Sequence, residues 1–262
     1  MLKALGNYKK KFLFIYLPQV EIKTRFTSKV EFESCDTILI DVKVSVIIPA
    51  FNEEKYIGKC LESLINQTAP ADEIIVVDNN SKDKTAAIAR EFDVRIVREK
   101  KQGMIPARNR GFNEAKYEII ARCDADAILP KDWIKKIKRN FEKRKIDALL
   151  GPVIFYDLPI KTSFFSKMLI HSTKLLNKDN ILIGPNMVLT KSIWQKVKND
   201  VCLSTDEVQE DIDLALHIKH YKGVIHYDKT LVASISARRL KYNPLSFFVV
   251  YPIRSIETFL NH

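Results

Sequence analysis

Residues 119–130 read Ile-Ile-Ala-Arg-Cys-Asp-Ala-Asp-Ala-Ile-Leu-Pro, and the fold turns on how that stretch is taken. The apolar run Ile119-Ile120-Ala121 reads as a buried strand, and it ends at two carboxylates, Asp124 and Asp126. An unpaired charge is strongly disfavoured in a core, so the strand must leave the core here and meet something cationic. Residues i and i+2 of extended chain point to one side. Two oxygen donors on one side suit Mg2+ or Mn2+ carrying a phosphate-rich ligand. A plain turn is the competing reading, since Asp-x-Asp alone recurs by chance. The flanking chain decides between them.

Upstream, Val44-Ser45-Val46-Ile47-Ile48 is a β-branched run that reads as a buried parallel strand closed by Pro49. Asn52 follows as a candidate helix cap, with Glu53 and Glu54 at the positive end of a helix over about 55–67. Glu73–Val77 is a second strand that ends at Asp78 and the polar turn from Asn79 to Lys84. A helix to about Phe92, a strand over Val94–Val97 and a helix from Gln102 to Ala115 lead back to the central stretch. Alternation of this kind means βαβ units and a parallel sheet with helices on both faces. Ligands of such sheets bind beyond the carboxyl ends of the strands. Asn52, Asp78, Asn79, Asp124 and Asp126 all follow strand ends.

Downstream, residues 131–145 form a basic amphipathic helix, and Ala148–Phe155 reads as a strand. Residues 156–180 are a partly helical excursion, a candidate flap. Ile181–Leu189 reads as strand, bend, strand, with Gly184 allowing close approach of a backbone or ligand. A helix over 191–198 precedes one that starts near Thr205 or Asp206 and carries Glu210 and Asp211 in its first turns. Acids there need only complement the helix dipole, which is the competing reading for both. Val224–Tyr227 and Leu231–Ile235 are late strands. The apolar end, 244–260, is read first as a helix packed on the domain, with a membrane surface or a dimer face as alternatives.

The 262 residues suffice for one large domain, and the charge balance is 43 − 32 = +11. Such a balance fits anionic substrates, a membrane surface or nucleic acid, but no nucleic-acid motif accompanies the spread-out bases, so no nucleic-acid partner is expected. Cys35, Cys60, Cys123 and Cys202 form no Cys-x-x-Cys pair, so neither a disulfide framework nor a zinc site is expected. No apolar run approaches the roughly 18 residues of a membrane span. The Leu13–Leu17 run is too short for a signal peptide, and a cytoplasmic place, at most at the inner face of a membrane, is the expectation. Residues 1–42 are an extension whose segments 12–17 and 37–42 read as strands on the sheet edge.

Four segments in order, Val-Ser-Val-Ile-Ile-Pro-Ala-Phe-Asn-Glu-Glu at 44–54, Val-Val-Asp-Asn-Asn-Ser-Lys-Asp-Lys-Thr at 76–85, Asp-Ala-Asp at 124–126 and Glu-Asp at 210–211, together with Gly103–Asn109 between the second and third, resemble the family 2 glycosyltransferases. These are inverting enzymes of the GT-A fold, an α/β architecture with a mostly parallel, Rossmann-like sheet. The resemblance covers about 43–240, with a nucleotide-binding half over 43–130, an acceptor half over 131–240 and an apolar segment at 241–262. It implies a nucleotide-diphosphate sugar donor, most often a uridine one, and Mn2+ or Mg2+.

Carried over residue by residue, Pro49, Ala50, Asn52 and Glu53 line the nucleotide pocket, and Asp78 accepts hydrogen bonds from base or ribose. Asn79 stands where many members have a second acid, which leaves the identity of the base open. Arg108 reaches base or phosphates, Asp124 holds the ribose or a metal-bound water, and Asp126 ligates the metal. Gly184, Pro185 and Asn186 face the donor sugar, with Glu210 and Arg238 on the sugar and acceptor side. His226 is a further candidate at the metal and diphosphate, and Asp211 is the catalytic base.

The Gln-x-x-Arg-Trp segment and membrane helices of processive synthases are missing from this sequence, so transfer of a single sugar is expected, to a glycan or lipid-linked acceptor of cell-envelope type, with peripheral membrane contact left open and the oligomeric state unassigned. A sugar-phosphate nucleotidyltransferase is the alternative enzyme. Its Gly-rich basic loop is replaced by the acidic Pro-Ala-Phe-Asn-Glu-Glu at 49–54. An inactive binding protein of the same fold is the other alternative. No Gly-x-Gly-x-x-Gly follows any strand, which argues against a dinucleotide-dependent oxidoreductase.

Overall fold

The structure is a computed structural model and describes residues 41–158, 181–203, 208–243, 245 and 250–260. The expected strands over 12–17 and 37–40, most of the 156–180 excursion, and the caps Thr205 and Asp206 lie outside the described residues.

β-Branched runs form the centre. β1 (Val44–Ala50) pairs in parallel with β2 (Glu73–Asp78) on one side and with β4 (Ile119–Cys123) on the other, and β3 (Arg95–Arg98) continues in parallel beyond β2. β5 (Ala148–Leu150) and β7 (Asn186–Thr190) are antiparallel, β7 also pairs antiparallel with β4, and β8 (Ile225–Tyr227) closes the edge parallel to β5. The resulting order is β3-β2-β1-β4-β7-β5-β8. β6 (Val153–Phe155) and β9 (Ala233–Ile235) form a separate parallel pair.

Helices cover both faces. α1 (Ile57–Ile65) and α4 (Trp133–Lys143) pack Leu61, Leu64, Trp133 and Ile137 on one face, with α2 (Thr85–Ala89) beside α1. On the other face lie α3 (Met104–Glu114), α5 (Lys191–Val197) and α6 (Glu210–His220), with Phe112, Trp194, Ile212 and Ile218. Phe112 and Trp194 meet edge to face, centroids 5.1 Å apart. α7 (Arg238–Tyr242) follows β9, and α8 (Tyr251–Leu260) packs on α6, where Thr258 Oγ1 accepts from the Gln209 N–H at 2.8 Å. No helix among the described residues is long and apolar enough to cross a membrane.

Several expectations change, among them the strand before the bend at Gly184, since within 181–190 only β7 from Asn186 joins the sheet. β1 runs through Pro49 to Ala50 rather than stopping at Ile48. The Ala50 carbonyl accepts from Asn79 N–H, so residue 50 faces β2 and residue 49 faces the β4 side, where pairing has already ended at Ile47. The missing Pro N–H therefore breaks no ladder bond. The 148–155 run splits at Gly151-Pro152 into β5 and β6, which belong to different sheets. The chain passes so close to β9's approach here that a Cβ on Gly151 would stand 1.7 Å from the Leu231 carbonyl oxygen, so only glycine fits. Asn52 does not cap α1, which begins at Ile57; the Glu53 carbonyl accepts from the Tyr56 and Ile57 N–H groups and starts that turn instead.

Candidate functional site

β1, β2 and β4 run parallel side by side, so their carboxyl ends open on one edge. The loops after β1 and β2 are laced together. Asn52 sits at φ 55° and Asn80 at φ 61°, the left-handed region that asparagine tolerates best among residues with a side chain. Asn52 N–H donates to Ser81 Oγ at 3.1 Å, and its Oδ1 accepts from Lys82 N–H at 2.8 Å. Glu53 N–H donates to Thr85 Oγ1 at 2.7 Å. Asp78 is buried at the end of β2, where its Oδ1 accepts from Ser81 N–H at 3.1 Å. Pro49 and Ala50 are buried in the strand and form the floor of this edge.

Asn79 does something other than face a base. It is buried, and its Nδ2 donates to the Glu99 and Lys101 carbonyls at 3.0 and 2.7 Å. Its Oδ1 accepts from Gly103 N–H at 2.8 Å and from Gln102 Nε2 at 3.3 Å. All its hydrogen-bonding capacity holds the 99–103 loop. An acid here would aim a carboxylate at two carbonyl oxygens. Asn79→Asp is therefore expected to lower unfolding free energy by about 1–3 kcal/mol in urea titration.

Past β4, Asp126 is buried beside Asp124 and Glu53. Burial and then the Asp124 charge push its carboxyl up to about 7, against the pull of Arg238. Arg238 crosses from α7 to this cluster: its Nε lies 3.2 Å from Asp126 Oδ2, and its two Nη groups take both oxygens of Glu53. The guanidinium stacks over the Tyr56 ring at 4.7 Å. Glu53, expected in the nucleotide pocket, and Arg238, expected on the sugar and acceptor side, are thus joined in one cluster, and Tyr56 is a member that sequence reasoning missed.

A second cluster stands behind Asp124. Arg122, inside β4, reaches Asp124 Oδ1 at 3.2 Å with Nη2 and Glu210 Oε1 at 2.6 Å with Nη1. Arg108 on α3 pairs with the other Glu210 oxygen and donates to Asn109 Oδ1 at 3.0 Å. Asp211, next on α6, accepts from the Gly184 N–H at 3.0 Å. Two arginines pair with Glu210 and Asp124, and among the described residues Asp211 makes no ion pair. Burial, then the Glu210 charge, pushes its carboxyl up to about 6. A carboxylate so raised, with Oδ2 accepting from the Gly184 N–H and Oδ1 from the Ile212 N–H, is suited to take a proton near neutral pH.

Several of the expected site residues have protein partners in the structure. Arg108 is fully buried and Glu210 has a side chain 12% exposed, and the two are paired with each other. Asn186 is also fully buried: its Oδ1 accepts from Trp133 Nε1 at 3.0 Å, and its Nδ2 donates to the Leu231 carbonyl at 2.6 Å and the Pro152 carbonyl at 3.2 Å. It ties β7 to β6 and β9 and cannot also face a sugar. Gly184 is engaged with Asp211 through its backbone. His226 lies on β8, three strands from β4 in the sheet order, about 14 Å at ~4.8 Å per strand. Its charged neighbours are Arg144 and Asp228, so it does not join Asp126.

Asp124, Asp126 and Glu53 are hard oxygen donors, the ligand type that Mg2+ and Mn2+ take. Among the described residues no group of three or more His, Cys, Asp or Glu forms a full cage. Mg2+ and Mn2+ at phosphate sites take one or two carboxylates and complete their shell with water and phosphate oxygens, so the Asp124–Asp126 pair fits such an ion.

Comparison with known proteins follows the same lines. Residues 45–194 match the family model described as Glycosyl transferase family 2. The chain is 27% identical over 184 residues to a dolichyl N-acetyl-alpha-D-glucosaminyl phosphate 3-beta-D-2,3-diacetamido-2,3-dideoxy-beta-D-glucuronosyltransferase of Methanococcus voltae, covering 55% of this chain and 57% of that protein. Across such curated relatives it spans from 23% to 59% of their length. Among solved structures, mannosyltransferase PcManGT from Pyrobaculum calidifontis, in complex with GDP-Man and Mn2+, superposes with TM-score 0.67 at 20% identity over 84% of this chain and 63% of that one. Glucosyl-3-phosphoglycerate synthase from Mycobacterium tuberculosis, with Mn2+, UDP and phosphoglyceric acid, gives TM-score 0.61 at 17% identity over 84% and 78%. At these identities the likeness establishes the fold, a GT-A arrangement of a mostly parallel sheet between helical layers.

Proposed function

The chain belongs to glycosyl transferase family 2, and on that premise we propose that it is a cation-dependent inverting glycosyltransferase that moves one sugar from a nucleoside-diphosphate sugar to a hydroxyl acceptor. The observation that carries this reading is the joining of Asp124 and Glu210 by one guanidinium, that of Arg122, which ties the acid at the end of β4 to the start of α6, where the raised carboxylate of Asp211 follows Glu210.

In this reading Asp126 and Asp124 would hold Mn2+ or Mg2+, and such an ion would supply positive charge for the departing diphosphate. Asp78 accepts from the base, taken as uracil. With Asn79 engaged in the 99–103 loop, Asp78 is the acid left for that contact. Asp211 takes the proton of the acceptor hydroxyl as its oxygen bonds to the anomeric carbon, and the bond from that carbon to the diphosphate oxygen breaks on the opposite face. The nucleoside diphosphate leaves with the electron pair. Arg238, on Asp126 and Glu53, is the cation placed to meet phosphate oxygens by exchanging partners. No covalent intermediate on the protein is required. A lipid-linked glycan is the acceptor class taken here, as the Methanococcus relative is named for a dolichyl N-acetyl-alpha-D-glucosaminyl phosphate, and such an acceptor would bring the chain to a membrane surface.

The test is a panel of UDP- and GDP-sugars with Mn2+ or Mg2+, followed by release of nucleoside diphosphate with and without polyprenyl-linked glycan acceptors. Acceptor-dependent release from one donor, with inversion at the anomeric carbon, is expected. Pyrophosphate release from a nucleoside triphosphate and a sugar phosphate, without transfer, would mark a nucleotidyltransferase instead.

A further inference from the structure

Arg122 is a charged side chain inside a buried strand, and no composition rule asks for it there. Its guanidinium meets two carboxylates from distant parts of the chain: Asp124, two residues on at the carboxyl end of β4, and Glu210, the first residue of α6. Nη2 also lies 3.3 Å from Met104 Sδ. Gly184, whose N–H holds Asp211, passes so close that an added Cβ would stand 3.2 Å from Nη2. Nε is buried without a hydrogen-bond partner among the described residues. A guanidinium that leaves one donor unmet to reach both acids is placed by those acids, not by its strand. Arg108 closes the other side of Glu210, so the start of α6 is gripped from two directions.

We propose that Arg122 is a positioning residue for glycosyl transfer: one rigid fork spans the donor-side acid Asp124 and the acceptor-side helix α6, and so fixes the separation between the diphosphate site and Asp211. The proposal rests on the reading of Asp211 as the base. Arginine suits the task because its planar fork reaches two carboxylates at once in set directions, whereas a lysine ammonium is a single point charge on a flexible stem. Reaction rates are steep in such separations, with about 1 Å of misplacement able to cost 10²-fold.

Arg122→Lys keeps the charge and removes the fork. It is expected to fold with thermal unfolding close to that of the unaltered chain. It should bind UDP with Mn2+ within about threefold of it and lose about 10²-fold in kcat. A kcat within about threefold of the unaltered chain overturns the proposal, as does a loss confined to donor affinity, which would make Arg122 a donor-site residue alone. Should that variant fail to fold, Glu210→Gln carries the same test, because it keeps the shape and one acceptor at the far end of the fork while removing the charge. Reduced kcat with donor affinity held supports the proposal, and unchanged kcat overturns it. Asp211→Asn assayed alongside separates the two ideas: if it stays fully active the base reading fails, and if it is inactive while Arg122→Lys runs at full rate only the Arg122 role fails.

Discussion

Asp211→Asn is expected to bind donor as the unaltered chain does and to lose about 10²–10⁴-fold in kcat, the range over which a positioned general base acts. The amide keeps an oxygen for the Gly184 N–H and gives up the bond from the Ile212 N–H in the first turn of α6, and the Arg122–Glu210–Arg108 pairs do not involve it, so the fold should hold. In the unaltered chain the same group sets the acid limb of the rate profile. Its carboxyl is pushed up to about 6 by burial and by the Glu210 charge, while the Gly184 N–H and Arg122 pull the other way. A base works only when ionised, so activity should be full above that value and fall as pH drops through about 6. Circular dichroism at each pH separates this from unfolding. A variant with undiminished kcat would move the base elsewhere.

Glu210→Ala is expected to destabilise the protein by about 3–5 kcal/mol, the cost of stranding buried charge. Arg108 and Arg122 have side chains 0% and 2% exposed, and each gives Glu210 an ion pair. Removing the glutamate leaves two guanidinium groups in the interior with Asp124 as the remaining acid on Arg122. Burial alone would raise the Glu210 carboxyl, but the Arg122 and Arg108 charges and hydrogen bonds outweigh it and hold it at about 2. A carboxylate lowered in the folded state contributes stability above its ordinary pKa of 4.5 and loses that contribution as pH falls from there through about 2. Urea unfolding at neutral pH, and again near pH 3, measures both: the difference between the two proteins should shrink in acid. A difference under about 1 kcal/mol at neutral pH would show that the pairs are dispensable, as at a surface site.

Much of the nucleotide-side architecture was legible because periodicity and position agree there. β-Branched runs at 44–48 and 73–77 formed strands, the intervening helices formed between them, and the acids after each strand came to one edge. The acceptor side was harder to read for a physical reason: its strands are three to five residues long and switch sheets, too short for periodicity to report. The Gly151-Pro152 break is visible in the sequence, but not that Leu231 crosses against it. Side-chain roles were least legible. Asn79, Asn186, Arg108 and Glu210 are residue types that serve ligands, yet here each is engaged by protein partners, the first three fully inside the protein. One signal was available and unused: Arg122 sits in an apolar strand, and a buried arginine demands a buried acid. Glu210 is that acid.

The central claim is that Asp124 and Asp126 hold a divalent cation against a diphosphate. Calorimetry of UDP with the unaltered chain and with Asp126→Asn, each in Mn2+ and in chelator, tests it most directly. The account predicts that Mn2+ tightens UDP binding to the unaltered chain by about 10-fold or more and that the substitution abolishes the difference. UDP binding of equal strength in both proteins, with and without Mn2+, would contradict it.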